Sequence, residues 1–567
     1  MSALQDQDDG EPQQGGVVRA ALRPVRNRTA ETPLDTGQDV HSSLDSHASA
    51  RMRWVIVFVV CLAVWLIARM VFFVGIAGSD DLYYFRYAAL WDRPPVNDWE
   101  ARLLGNVLTR GAMAAFGRTE LAAVLPSLAA SALMLASVLY WCRNHGTLRQ
   151  AWWGGVFLAV LPIDVEMATT ISPHTIMAAL MGAGTLAFLY QPATRTTRFL
   201  SALFLSLGVI THFAGIYYVA ALALASLCVD HRRYSRTVVL TLAVGIVLTI
   251  ADLAVFHFAF GDAFGRFRVC LAEVNTDKPG MLMTGHGTLN PGFILWPVVH
   301  LPFSKAFGAS LLAVVILGVR RYRRVDPRLR ILLTVIAVFW IWMSFGSQIP
   351  WEYRPFLRMS RFLQPLTFAV AVLFATLVVD THWRRLSAAF TGAVLATCVF
   401  CLLAGGSWGE NVTISKELLT YVASYPEKRF VTDYHTHNEV YVINGATAVP
   451  NIVTINHVPR SRLLDPDVAM IDPSELQPDD EILCNPLNVA RVPQFAEFTD
   501  KHAAGLRFET KPAYRDICRI VPPLRQHPWA LRKPPARVFA CNPVSQSRRL
   551  TQRIESTFAT SSAKPAG

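Results

Sequence analysis

Apolar runs of membrane-crossing length recur from Trp54 to Gly405, with short polar stretches between them. A run of about 17–25 apolar residues suffices to cross the hydrocarbon core as a helix. The pattern predicts about eleven spans: 54–77, 119–142, 151–163, 167–190, 199–213, 214–229, 237–260, 300–319, 331–349, 361–379 and 388–405. The polar loop from Gly78 to Arg118 reads as two helical stretches, Asp80 to Trp91 and Asp98 to Phe116, parted by Arg93-Pro94-Pro95. Helical spacing puts Asp80, Tyr84 and Tyr87 along one side of the first. In the second, Leu103, Leu104, Val107 and Leu108 oppose Arg102, Asn106 and Arg110, with Asp98 as a natural N-cap. Short amphipathic helices carrying aromatic residues suit a membrane surface.

After Gly405 the pattern changes. Short β-branched or aromatic runs (Arg429 to Thr432, Glu439 to Ile443, Asn451 to Thr454) alternate with turn residues and many prolines. The fold class expected is an α-helical polytopic membrane protein with a small C-terminal α/β domain outside the membrane. The expected domains are a disordered cytoplasmic tail at 1–50, a transmembrane domain at 51–405, a mixed α/β extracytoplasmic domain at 406–545 and a disordered tail at 546–567. The first fifty residues are rich in Gln, Asp, Ser and Pro without apolar periodicity, which fits disorder.

Composition agrees: 52% of residues are hydrophobic, 17% are charged and the mean hydropathy is +0.32, which disfavours a large soluble enzyme. With the N-terminus cytoplasmic, the alternate loops from Arg143, Gln191, Asp230, Arg320 and Asp380 hold fifteen arginines against three aspartates. That is the positive-inside pattern, and it places Asp80 and Asp81 on the non-cytoplasmic side. The net charge of +12 is then mostly topology, so lipids rather than nucleic acid are the expected partners. Cys484, Cys518 and Cys541 follow the last span, where one disulfide among them is expected without the pair being selected.

Chemistry concentrates on the same side. Asp80-Asp81, Glu100 and Asp164-Val-Glu166 are candidate catalytic positions, since converging carboxylates can deprotonate an acceptor hydroxyl or amine. Asp80, Asp164 and Glu166 are the candidate ligands of a divalent cation, Mg or Mn, for which carboxylate oxygens are the natural donors. Two adjacent carboxylates at a helix exit are costly unless a cation, proton or substrate offsets them. Arg86, Arg102, Arg358 and Arg361, with Tyr84 and His286, are candidate substrate-binding residues, because a guanidinium matches phosphate oxygens as a fork. His174 and His212 read as packing residues, as does His435-Thr-His437. No phosphate-binding glycine motif or dinucleotide fingerprint is present, which points to a donor held by lipid.

These residues, in this order, resemble the GT-C superfamily of polytopic glycosyltransferases. The likeness is to the branch of protein O-mannosyltransferases, aminoarabinose transferases and galacturonosyltransferase-like proteins. Asp80-Asp81-Leu-Tyr-Tyr84 resembles the acidic-aromatic motif after the first span, and Trp99-Glu100 with Arg102 the interfacial helix of that loop. Asp164-Val-Glu166 is similar to the acidic second-loop motif of the oligosaccharyltransferase catalytic subunit. His286 to Pro302, containing Trp296-Pro297, resembles the loop into the eighth span, and Arg361-Phe-Leu-Gln-Pro365 a late-span opening. Three positions depart from the pattern: Asp81 for a frequent Glu, Asp92-Arg-Pro-Pro95 for a Lys-Pro-Pro segment, and His174 where many relatives carry an acid.

The resemblance implies inverting transfer of a hexosyl or pentosyl group from a polyprenyl-phosphate sugar to an envelope glycan, lipid or protein. A first-loop aspartate, Asp80 before Asp81, would serve as base or metal ligand. It also implies a bacterial inner-membrane location. Two other readings compete: a transporter or flippase, which predicts ionisable groups near the bilayer midplane, and a non-catalytic envelope assembly protein.

Overall fold

The computed structural model describes residues 38–78, 80–190, 193–275, 294–295, 304–347, 360–379, 384–404, 410–456, 458, 460, 463–489, 491–510 and 535–541. Residues 1–37 and 546–567, where the tails were expected, lie outside them, as do His286, Arg358 and Cys518. Contacts divide the chain at Met52, and the fold described below is that of the unit from Arg53 onward.

Helix α1 (Gln38–Val71) begins upstream of the apolar run that opens at Trp54. The first loop carries α2 (Asp80–Leu90) and α3 (Leu103–Phe116). Trp91 has a φ of 49°, a left-handed turn that stops α2 one residue before the expected end. Helix α3 starts later than expected, because Asp98 ion-pairs with Arg102 (2.9 Å) instead of capping a helix.

The bundle continues through α4 (Glu120–His145), α5 (Leu148–Val160), α6 (Pro162–Ala168), α7 (Pro173–Leu189) and α8 (Arg195–Thr211). Their starts are written locally: Thr119, Ser172 and Thr194 accept backbone N–H groups as N-caps, and Thr147 with Gln150 forms a capping box. Helix α9 (Ala214–Phe260) is broken at Asp230, whose φ of −157° and ψ of 78° are non-helical. At about 1.5 Å per residue its 47 residues exceed the length of one bilayer crossing. Then come α10 (Gly265–Asn275), α11 (Ser304–Arg321) and α12 (Pro327–Phe345). A composite helix follows, of a 3-10 turn (Ser360–Leu366), α13 (Thr367–Leu373) and a π-turn (Phe374–Val378), and α14 (Arg384–Ala404) closes the bundle.

Each of the eleven apolar runs is thus largely helical. Among the described residues, six helices are long and apolar enough to cross a membrane, and up to seven if α5 and α6, bent by 55°, form one broken span. The remaining runs give helices too short or too polar to pass on length and composition.

The C-terminal part holds α15 (Glu410–Ala423), α16 (Tyr434–Ile443) and a six-stranded sheet. Its strands are β1 (Phe430–Thr432), β2 (Ile452–Ile455), β3 (Met470–Ile471), β4 (Glu481–Cys484), β5 (Ala503–Glu509) and β6 (Arg537–Cys541). Their order is β3-β2-β1-β4-β6-β5, with the first four parallel and β6 antiparallel to both of its neighbours. The parallel strands are wholly or almost wholly buried, as short apolar runs require. Cys484 pairs with Arg537, at the opposite end of the β4–β6 ladder from Cys541, so these two cysteines are not joined to each other.

This part does not stand apart from the first loop. Val412, Tyr441 and Leu464 share a buried cluster with Ile76, Leu82, Phe85 and Met113. Lys416 pairs with Glu120 (2.6 Å), whose other oxygen accepts the Ile76 N–H (2.8 Å). Gly75, at φ +79°, lies so close to the Glu120 carboxyl that any Cβ there would collide with it.

Candidate functional site

The site grows from one turn. Gly78 has a φ of +87°, which only glycine adopts without strain, and its carbonyl accepts the Asp81 N–H (3.2 Å). Helix α2 therefore opens on two carboxylates. Asp80 ion-pairs with Arg361 (2.6 Å), from the composite helix 281 residues away, and both side chains keep a small exposed fraction. Asp81 turns inward and accepts the Ala77 N–H (3.0 Å).

The environments split the pair. Burial pushes the Asp81 carboxyl up to about 8; the neighbouring Asp80 charge adds to this, and the Ala77 N–H and Arg361 oppose it. At neutral pH Asp81 is mainly protonated, while Asp80 faces the Arg361 guanidinium. Because the folded state keeps a proton that the unfolded chain loses near pH 4, stability falls as pH rises from about 4 toward 8. Asp81→Asn is expected to remove that part of the dependence. Melting curves at pH 5 and pH 8 check it: the stability of the variant relative to wild type should be greater at pH 8 than at pH 5.

One turn on, the Tyr84 hydroxyl accepts from Arg102, whose guanidinium also bonds Asp98 and lies 5.5 Å from the Tyr84 ring. Asp98 and Tyr84 hold the Arg102 cation well above its ordinary range against the opposing cost of burial. The charges of Asp80, Asp98, Arg102 and Arg361 all reach the Tyr84 hydroxyl.

The other expected members are placed elsewhere. Arg86 grips Asp92 with both terminal nitrogens (2.9 and 2.8 Å), and its Nε donates to the Leu464 carbonyl (3.1 Å). It ties α2 to the C-terminal part. Glu100 is buried, pairs with Arg93 (3.0 Å) and accepts the Val96 N–H (3.0 Å), which closes the loop before α3. Asp164 is the counter-ion of Arg69 inside the bundle and also accepts from Ser131 (2.7 Å). Glu166 is buried on the same short helix, α6.

Among the described residues no three His, Cys, Asp or Glu side chains converge to hold a metal ion, Asp80, Asp164 and Glu166 included. Asp80 and Asp164 are each paired with a separate arginine, Arg361 and Arg69.

Several participants escaped the sequence reading. Phe362 sets its ring edge against His174 (5.1 Å between centroids), which itself lies 4.2 Å from the His212 ring. Arg266 of α10 pairs with Asp252 (2.7 Å) and donates to the Ile210 carbonyl (2.6 Å). Glu439 of α16 accepts from Ser415 (2.5 Å) and Asn488 (3.0 Å), and a Cβ on Gly78 would lie 3.8 Å from its other oxygen. Burial pushes Glu439 up to about 7. No spacing rule links residues so far apart in sequence.

Beside this end of the bundle, α8 and both halves of α9 enclose an almost wholly apolar groove of about 500 Å³. Ile210 and Ile216, which line it, bracket His212 in the sequence.

No family model and no curated protein matches the chain. Its structure is similar to that of ArnT from Cupriavidus metallidurans in the apo state, with a TM-score of 0.50 at 14% identity, covering 88% of this chain and 99% of that one. The chain has the GT-C fold. The same ArnT bound to undecaprenyl phosphate aligns with a TM-score of 0.48 at 14% identity, over 86% of this chain and 98% of that one. The archaeal oligosaccharyltransferase AglB from Archaeoglobus fulgidus, in complex with an inhibitory peptide and a dolichol-phosphate, aligns with a TM-score of 0.42 at 13% identity. That match covers 68% of this chain and 63% of AglB. Within the GT-C fold of this chain, the Asp80–Arg361 pair joins the first loop to the composite late helix.

Proposed function

We propose that this chain is an integral-membrane glycosyltransferase that moves a sugar from a polyprenyl-phosphate donor to an envelope acceptor at the non-cytoplasmic face, across about eleven spans. The Asp80–Arg361 ion pair carries the reading. It couples an ionised carboxylate, able to take a proton, to a guanidinium, able to take a phosphate. The apolar groove beside it suits an isoprenoid chain, and ArnT has been solved with undecaprenyl phosphate.

The chemistry balances as one displacement. The acceptor oxygen or nitrogen bonds to the anomeric carbon as the bond from that carbon to the phosphate oxygen breaks. Asp80 takes the acceptor proton, and polyprenyl phosphate leaves with the electron pair, inverting the centre. Without donor, Arg361 is held by Asp80. A phosphate competing for Arg361 frees the carboxylate to act as base, so donor binding itself arms the site. Tyr84, fixed by Arg102, lies one helical turn from Asp80 and can donate its own hydroxyl proton to a substrate oxygen. Arg86, Glu100, Asp164 and Glu166 support the site from its flanks.

Two observations favour this over a transporter. Arg69 and Asp252, ionisable groups within the bundle, are each neutralised by a buried partner, Asp164 and Arg266, instead of lining an open polar path.

The test is mass analysis of envelope lipids and glycans in a deletion strain and an Asp80→Asn strain. A sugar missing from both supports the assignment, and a sugar retained with Asp80→Asn overturns it. Arg361→Ala is expected to weaken binding of undecaprenyl phosphate by about tenfold or more, the scale of a lost charge-assisted contact. The melting temperature should change little, because both ends of the ion pair reach water. Titration of the purified variant checks this, and unchanged affinity refutes the role of Arg361.

A further inference from the structure

A buried histidine pair stands beside the Asp80–Arg361 contact. His174 is the second residue of α7, only 3% exposed, and among the described residues neither ring nitrogen finds a hydrogen-bond partner. Buried polar groups are ordinarily satisfied, and leaving one unpaired costs stability. His212, 8% exposed, ends α8, and its Nδ1 accepts the Ala214 N–H (3.0 Å). That bond fixes the neutral tautomer: the ring proton sits on Nε2, which is a donor. The two rings stack at a tilt, 4.2 Å apart, and Phe362 closes their edge.

The surroundings are cationic. The charges of Arg102 and Arg361 reach both rings, and that of Arg266 reaches His212. Each of these arginines already has a carboxylate partner: Asp98, Asp80 and Asp252 respectively. A polar ring buried without a partner in a positive field fits an anionic acceptor better than a packing role.

We infer that His174 and His212 form a phosphate seat in which an imidazole N–H donates to a non-bridging phosphate oxygen, also held by Arg361, of the lipid phosphodiester donor and of the phosphate monoester that leaves it. This rests on the donor reading above and adds to it a substrate-contacting pair that the arginines alone would not supply. Phe362 follows Arg361 directly, so one short segment, the 3-10 turn, sets the guanidinium and the wall of the seat together. The imidazoles can donate but add no fixed charge while neutral. They therefore strengthen phosphate binding without displacing Asp80 from Arg361 when no donor is bound.

The experiment uses the full chain in lipid nanodiscs and three probes: undecaprenyl phosphate, undecaprenol and inorganic phosphate. Wild type is expected to bind undecaprenyl phosphate, with undecaprenol much weaker. His174→Phe keeps an aromatic in the stack but removes the N–H, and it should weaken undecaprenyl phosphate about tenfold while leaving undecaprenol unchanged. His174→Gln restores an N–H donor and should recover most of the affinity. Full affinity in His174→Phe, beside weakened binding in Arg361→Ala, overturns the histidine seat and leaves the donor reading standing. Absence of undecaprenyl phosphate binding by wild type overturns the donor reading and the seat with it. Inorganic phosphate bound as tightly as the lipid, and in a His174-dependent way, overturns the lipid source and assigns the seat to free phosphate. If His174→Phe does not fold, ¹⁵N-histidine spectra of wild type and His174→Gln decide. Lipid phosphate should shift an imidazole signal absent from the variant, and no such shift overturns the seat.

Discussion

Asp80→Asn is expected to lower sugar transfer by about a thousandfold, within the range that a positioned general base contributes. The substitution keeps the size of the side chain and one oxygen able to accept from Arg361, so α2 retains its start and expression should hold. Affinity for the carrier phosphate is the discriminating readout. Removing the carboxylate charge releases Arg361 from its resting partner, so undecaprenyl phosphate should bind as well as before or more tightly while turnover collapses. A residue that merely positions the donor would lose affinity and rate together. Transfer at the wild-type rate by purified Asp80→Asn, or restoration of the missing sugar by that variant in a deletion strain, refutes the assignment.

Asp164→Ala is expected to act on the fold instead. Asp164 and Arg69 are almost fully buried, and Ser131 bridges them, accepting from Trp65 (2.9 Å) as it donates to Asp164. Arg69 spends its other bonds on the carbonyls of Ala159 and Trp65. Removing the carboxylate leaves a buried guanidinium without a counter-charge, a loss of about 3–5 kcal/mol for pairs of this kind. Poor yield and a lower melting temperature should follow. Arg69→Met with Asp164→Leu, which removes both charges, should recover most of the stability, and with it the transfer activity. Asp164→Ala that melts like wild type yet fails to transfer sugar would contradict this and return Asp164 to the chemistry.

The contrast between these two aspartates measures what the sequence could reveal. Both stand in acidic motifs at the same end of the bundle, and the sequence reading gave both a catalytic role. Most local signals were sound: apolar runs became helices and α2 began at Asp80, whereas Asp98 pairs with Arg102 instead of capping α3. What sequence does not carry is the partner across hundreds of residues. Arg361 happens to meet Asp80, Arg69 meets Asp164, and Arg86 spends itself on Asp92 and a carbonyl 378 residues downstream. Arg86 and Arg361 both looked suited to phosphate, and nothing in the sequence pointed to the partner of Arg69. Only burial and geometry divide Arg361, which itself keeps access to water, from Arg69 and Arg86, which are almost fully buried. His174 shows the reverse case, since its departure from the family pattern was visible but its lack of a partner was not.

The clasp between α2 and the C-terminal part bears on the order in which the molecule is made. Leu464 and Lys416, which fasten Arg86 and Glu120, leave the ribosome long after the first loop has been inserted. Until they arrive, Leu82, Phe85 and Ile76 lack part of their cover, and the helix that opens on Asp80 has no firm support. A nascent or truncated chain therefore holds the reactive carboxylate on an unfinished base. The support of α2 is therefore complete only when the C-terminal part has been made.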